Sequence, residues 1–193
     1  RDFFFTELTT GLRRGEICGL RWEDFDEAEG TLKVNRSVST RKAGSLEVGE
    51  TKTNKGHRSI SLPDSTAQRL RERKKTAISD WIFPNPLHPE EAVNPGYAYN
   101  RMKTILKNTG LPSIRFHDLR HTFATHALAG GVDAKTLSGI LGHTNASFTL
   151  DTYTHVTGDM QKQAANTVCD FMTDLLGEEW KPWQENERTA KEL

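Results

Sequence analysis

Cysteine is almost missing from this sequence: Cys18 and Cys169 are the only two among 193 residues. Two cysteines so far apart give neither a disulfide framework nor metal-ligand spacing, which points to a reducing, intracellular compartment. Both have apolar neighbours (Ile17 and Leu20; Val168 and Phe171) and are expected to be small core residues. Long hydrophobic runs are missing too, since none approaches the ~18 apolar residues of a membrane span. No signal-type segment opens the sequence, where Arg1-Asp2 leads into Phe3-Phe4-Phe5 and then turns polar. Transmembrane and secreted classes are excluded on this reading. Arg1 falls inside what reads as a helix, so the sequence is expected to be a fragment.

Net charge is also missing, with 26 basic and 26 acidic residues, but the balance hides a polarised distribution. Lys33 to Lys75 holds twelve basic residues against four acids, a local charge of +8. Glu16 to Glu29 holds six acids against Arg21, and Asp159 to Leu193 carries −4. A local basic face can attract a polyanion whatever the net charge, although charge runs are also simply solvated faces.

The periodicity predicts a mainly helical α+β fold with a small three-stranded antiparallel sheet. A helix ends at Thr9-Thr10-Gly11, and a short one follows over Arg14–Leu20. Thr31–Val38, Leu46–Thr51 and His57–Leu62 read as strands of a meander, with Thr53-Asn54-Lys55-Gly56 as a hairpin turn. A basic helix runs from Pro63-Asp64 to about Ser79. Four of the seven prolines crowd between Pro84 and Pro95 and mark a loop. Further helices fit Gly96–Thr109, Phe116–Ala129, Asp133–Leu141, Ala146–Thr154 and Gly158–Leu176.

His117, Arg120 and His121 stand at i, i+3, i+4 and are expected to share a helix face opposite Leu119 and Phe123. Arginine offers a planar fork that matches phosphate oxygens, and histidine moves protons near neutral pH. His117 and His121 also have zinc-pair spacing, but no catalytic Glu follows the first and no third ligand is evident. His143 at a helix end, Tyr153, Lys52 near a hairpin tip and Arg13 each read as readily structural as chemical when taken singly.

Taken in order they do not. Thr10-Gly11-Leu12-Arg13-Arg14-Gly15-Glu16, a basic hairpin with Lys52, His117-Asp118-Leu119-Arg120-His121, Leu141-Gly142-His143 and Tyr153 span Arg1 to His155. This series resembles the catalytic domain of tyrosine recombinases, most closely the phage and conjugative-transposon integrases. The resemblance implies that Arg13 and Arg120 hold the scissile phosphate and that Tyr153 attacks it, giving a 3′-phosphotyrosyl link. Lys52 would be the general acid, with Lys55 as its competitor on the hairpin, as Arg14 competes with Arg13. His117 would be the acid/base partner of the tyrosine, His143 a hydrogen-bond donor to the phosphate, and Glu16 a support behind the site. Lys55, Arg58 and His121 are further candidates for DNA contact.

The resemblance further implies a site-specific recombinase that needs no metal and no cofactor, acts on double-stranded DNA, and assembles as a homotetramer on synapsed sites from a free monomer. A cytoplasmic, bacterial or phage-encoded protein is implied. Residues 1–177 would form the catalytic domain, 178–193 an acidic tail, and the family's N-terminal DNA-binding domain has no counterpart in this sequence. Alternatives on the same chemistry or fold are an inactive DNA binder and a type IB topoisomerase-like enzyme. The apolar stripe Val168, Phe171, Met172, Leu175 and Leu176 suits packing in its own core or on a neighbouring subunit equally.

Overall fold

The structure, a computed structural model, describes residues 1–41, 45–50 and 56–143, and beyond them positions 162, 165, 166, 168–171, 173 and 174. Two compact units divide the chain, Arg1–Thr154 and His155–Leu193.

In the first unit, α1 (Asp2–Thr10) ends where Gly11 turns left-handed at φ 60°. Helix α2 (Arg14–Cys18) follows after three residues. Four short strands and a fifth come next: β1 (Phe25–Asp26), β2 (Thr31–Val34), β3 (Arg36–Thr40), β4 (Leu46–Glu50) and β5 (Arg58–Ser61). Helices α3 (Asp64–Lys74), α4 (Pro95–Asn108), α5 (Phe116–Ala129) and α6 (Ala134–Leu141) complete it. Helix–loop boundaries follow local chemistry. Asn94 caps α4 through Gly96 N, with Pro95 in its first turn, and Asp133 caps α6 through the amides of Lys135 and Thr136.

The sheet departs from the expected meander. The long run Thr31–Thr40 breaks at Asn35 into β2 and β3, and β4 and β5 each pair with a different half. Arg36 faces Glu50 while Val34 faces Arg58, so the two return strands spend their pairing on this run and not on each other. The reason is burial. Ile60 of β5 enters the core with Leu32 and Val34, whereas in β4 Val48 is exposed and only Leu46, partly buried, packs against the core. Asp24 pins the break, accepting from the Asn35 amide and the Arg36 guanidinium. The resulting sheets are β1-β2-β5, three-stranded and antiparallel, and the β3-β4 hairpin.

Helix α3 stops at Lys74, short of Ser79, as the Thr76 and Ala77 amides close on the Arg73 and Lys74 carbonyls. Its basic residues, and most of the +8 segment, are occupied within the fold. Arg36 pairs with Glu23 and Asp24, Arg58 with Glu16, and Arg69 and Arg73 with Asp2. Lys74 reaches Glu27, whose carbonyl takes Arg71. The acidic stretch Glu16–Glu29 is thus the counter-charge to the basic stretch that follows it.

The core runs from α1 and α2 to the sheet and α5, through Leu12, Ile17, Leu32, Val34, Leu70, Ile82 and Phe116. Phe3 bridges α1 to Phe83 and Phe116 by edge-on contacts at 5.1 and 6.2 Å. Cys18 is buried there, as expected. Cys169 is not a core residue: it is exposed, and so are Val168 and Phe171 on the same helical stretch of the second unit. The predicted helix 146–154, positions 53–55 of the hairpin turn and the acidic tail lie outside the described residues.

Candidate functional site

Three turns bring the motif residues together. Gly11, at φ +60°, lies against α5 so closely that a Cβ would come within 2.3 Å of the Phe123 ring. Its carbonyl is thereby presented to α5. Gly15 lies as close to β3, where a Cβ would stand 2.6 Å from the Val38 carbonyl, so α2 is seated directly on the sheet. Gly142, at φ 65°, ends α6 and turns His143 back toward Arg120.

Helix α5 buries Phe116, Leu119, Arg120, Ala124 and Leu128, so Arg120 belongs to the buried stripe and not to the polar face expected for it. Only 2% of it is exposed. Its guanidinium donates to the Gly11 and Leu141 carbonyls, each at 2.7 Å, and to His143 Nε2 at 2.8 Å. Since the guanidinium only donates, Nε2 accepts and the ring proton sits on Nδ1. Burial and the nearby Arg13 charge lower Arg120 to about 10. Burial, then the charges of Arg120 and Arg13, hold His143 at about 4, so it is neutral at pH 7.

Arg13 remains 42% exposed while its guanidinium donates to Glu16 Oε1 (2.7 Å) and the Gly142 carbonyl (2.9 Å). Glu16 also takes the Arg13 amide and both terminal nitrogens of Arg58. Burial would raise the Glu16 carboxyl, but these donors and charges outweigh it and hold it below the usual range. Arg58, expected on DNA, instead lies 7% exposed behind Glu16, with Nε donating to the Ile140 carbonyl at 2.6 Å. The carbonyls of Ile140, Leu141 and Gly142 therefore receive Arg58, Arg120 and Arg13 in turn. This is the negative end of α6, where cations are favoured.

His117 is exposed on α5, with its ring edge-on to His121 at 4.5 Å. Burial, His121 and Arg120 all lower its pKa, leaving a neutral imidazole able to accept a proton. A pocket of about 330 Å³ opens beside it, lined by Glu7, Leu12, Arg14, Tyr99, Arg115, Phe116, His117 and Arg120. Of the residues singled out in the sequence, Arg13, Glu16, Arg58, Arg120 and His143 meet in one cluster, with His117 on the rim of the adjoining pocket. Lys52, Lys55 and Tyr153 lie outside the described residues. Sequence reasoning missed the Arg58–Glu16 pair, because nothing local joins residues 42 positions apart. It also missed Glu7, whose place on a helix stripe reads as ordinary.

Among the described residues no three His, Cys, Asp or Glu side chains group to hold a metal ion. No described helix is long and apolar enough to cross a membrane.

Two guanidiniums beside two neutral imidazoles form an oxyanion-binding arrangement, and the comparisons agree with the fold that builds it. The chain is 32% identical to a XerC-like tyrosine recombinase of Caldanaerobacter subterraneus subsp. tengcongensis, over 89% of this chain and 49% of that protein. It is 28% identical to the ICEBs1 integrase of Bacillus subtilis, over 89% of this chain and 49% of that one. It spans about half the length of these relatives. Two structures of the Tn1549 transposon integrase with circular intermediate DNA superpose at TM-scores of 0.74 and 0.71. Their identities are 23% and 26%, over 86% of this chain and 58% and 59% of those chains. The phage integrase family matches residues 3–160, which takes in the whole arginine–histidine cluster and Tyr153 as well. By that match, the chain belongs to the phage integrase family of tyrosine recombinases.

Proposed function

We propose that this chain is the strand-cleaving part of a site-specific DNA recombinase that integrates or excises a mobile element. The observation that carries the reading is the convergence of Arg13, Arg120 and His143 on the end of α6. Two guanidinium forks held by main-chain carbonyls are preorganised to stabilise a phosphorane's charge without moving during reaction. Kinship to relatives named as recombinases and integrases supports the same chemistry.

Tyr153 attacks the scissile phosphorus, forming the Tyr–O–P bond as the bond to the 5′ oxygen breaks. The tyrosine proton passes to His117, and Lys52 protonates the departing 5′ oxygen. His143, whose Nε2 accepts from Arg120, donates from its other ring nitrogen to the phosphate. Rejoining is the reverse attack by a 5′-hydroxyl, so neither metal nor cofactor enters a step. Lys55 and His121 contact the duplex. Residues 1–177 act as the catalytic domain followed by the acidic tail 178–193, and the active species is a homotetramer on synapsed DNA in a bacterial cytoplasm.

The test is a covalent protein–DNA band on a denaturing gel with a bridging-phosphorothiolate substrate in EDTA. A band that disappears with Tyr153→Phe supports the reading. DNA binding without a band for the parent protein overturns it in favour of a binder.

A further inference from the structure

Glu7 of α1 lies directly behind the site and has no place in the chemistry above. It is 0% exposed, and neither carboxyl oxygen has a hydrogen-bond partner among the described residues. An unsatisfied buried polar group keeps its full desolvation penalty, so a fold that keeps one calls for a reason. Glu7 lines the same pocket as Arg120 and His117.

Arg120 supplies the complementary oddity. Arg13 and Arg58 both close ion pairs with Glu16, at 2.7 and 2.9 Å. Arg120, more buried than either, touches only neutral partners: two carbonyls and an imidazole. A carboxyl thus stands within the field of the one guanidinium in the cluster that makes no ion pair among the described residues, and does not touch it.

We propose that Glu7 is a positioning residue for Arg120, controlling how much of the guanidinium's charge is offered to a phosphate oxygen. The proposal rests on the reading of Arg120 as a phosphate ligand. As an uncharged acid Glu7 leaves Arg120 to the phosphate. As a carboxylate it draws the guanidinium through the pocket, as Glu16 draws Arg13, and cancels part of its field. Burial raises the Glu7 carboxyl well above its ordinary value, the Glu16 charge adding to this and Arg120 opposing it. The titratable and charged groups that line the pocket with it or act on it electrostatically are Arg14, Glu16 and Cys18 from α2, Tyr99 from α4, Arg115 just before α5, and His117 and Arg120 on α5. Burial keeps Cys18 a thiol, and His117 is already neutral, so Glu7 is the member whose ionisation opposes Arg120 as pH rises. Cleavage is accordingly supported below the folded-state pKa of Glu7 and lost as pH rises through it.

The experiment reads covalent-complex yield with the trapping duplex across the pH range in which the protein stays folded, each protein normalised to its own maximal yield. Carbon-13 NMR follows the Glu7 carboxyl, assigned by its loss in Glu7→Gln. The parent is expected to fall about tenfold per pH unit beyond the transition, and Glu7→Gln less than about twofold over the same range. Glu7→Leu gives the same flat profile and replaces Glu7→Gln should that variant fail to fold. A variant that follows the parent's profile overturns the proposal, and so does a carboxyl that titrates near the ordinary value of about 4.3. If the parent gives no covalent band at any pH, the phosphate reading of Arg120 fails instead, and the carboxyl titration still decides the state of Glu7.

Discussion

The Arg120 guanidinium donates to the Gly11 carbonyl at 2.7 Å, which fastens one arginine of the site to the turn that carries the other. Arg13 follows that turn by two residues and closes on Gly142, so the two guanidiniums are placed by one shared frame.

Arg120→Lys tests the fork. An ammonium cannot reach two carbonyls and a phosphate oxygen in the same plane, so covalent-complex formation should fall roughly 100-fold or more. Duplex binding by gel shift should fall far less, because affinity is carried mostly by other backbone contacts. Equal losses in both assays would place Arg120 in general DNA binding.

Gly11→Ala should destabilise the protein by about 1–3 kcal/mol, since it meets both a left-handed φ and the Phe123 ring. Phe123→Leu in the same chain should recover only part of the loss, because the backbone strain stays. Denaturant melts of the two variants check this, and full recovery would mean that the ring contact alone matters.

Glu16→Gln breaks the tie between Arg13 and Arg58 and should cost about 3 kcal/mol at neutral pH. The Glu16 carboxyl lies below its ordinary value when folded, so its stabilisation is present above the unfolded value and lost as pH falls through the folded one. The stability gap between parent and variant should therefore close in acid. A gap that is constant with pH would assign the loss to packing.

The His143 ring proton resonances should show no titration between about pH 5.5 and about pH 8, because the ring is held at about 4. Its contribution to stability is present above the unfolded value and lost as pH falls through the folded one. A midpoint near the ordinary histidine value would remove the Arg120–His143 hydrogen bond as drawn.

Much of this was legible in the chain. Helix α5 begins and ends where the pattern predicts, α4 differs by a residue at each end and α6 by one at its start, because Asn94, Pro95, Asp133 and Gly142 act on their immediate neighbours. The order of the arginine and histidine motifs was legible for the same reason. The strand partners were not, since β4 and β5 differ in which face they can bury, and that depends on Leu32 and Val34. Nor was the inward turn of Arg120: spacing puts it beside His117, but a buried guanidinium needs carbonyl partners that come from α1 and α6. The basic stretch misled most, as its counter-charges lie earlier in the chain at Asp2 and Glu16–Glu29.

Three consecutive peptide oxygens at the end of α6 hold three arginines, from β5, from α5 and from the turn before α2. Side-chain changes at positions 140 and 141 leave their acceptors in place, since these belong to the main chain, whereas a side chain at Gly142 would strain its left-handed turn. The clamp is therefore nearly invisible to mutagenesis at two of its three addresses. It would register only when the arginines are changed, or when the helix end itself is shifted, and then at all three together.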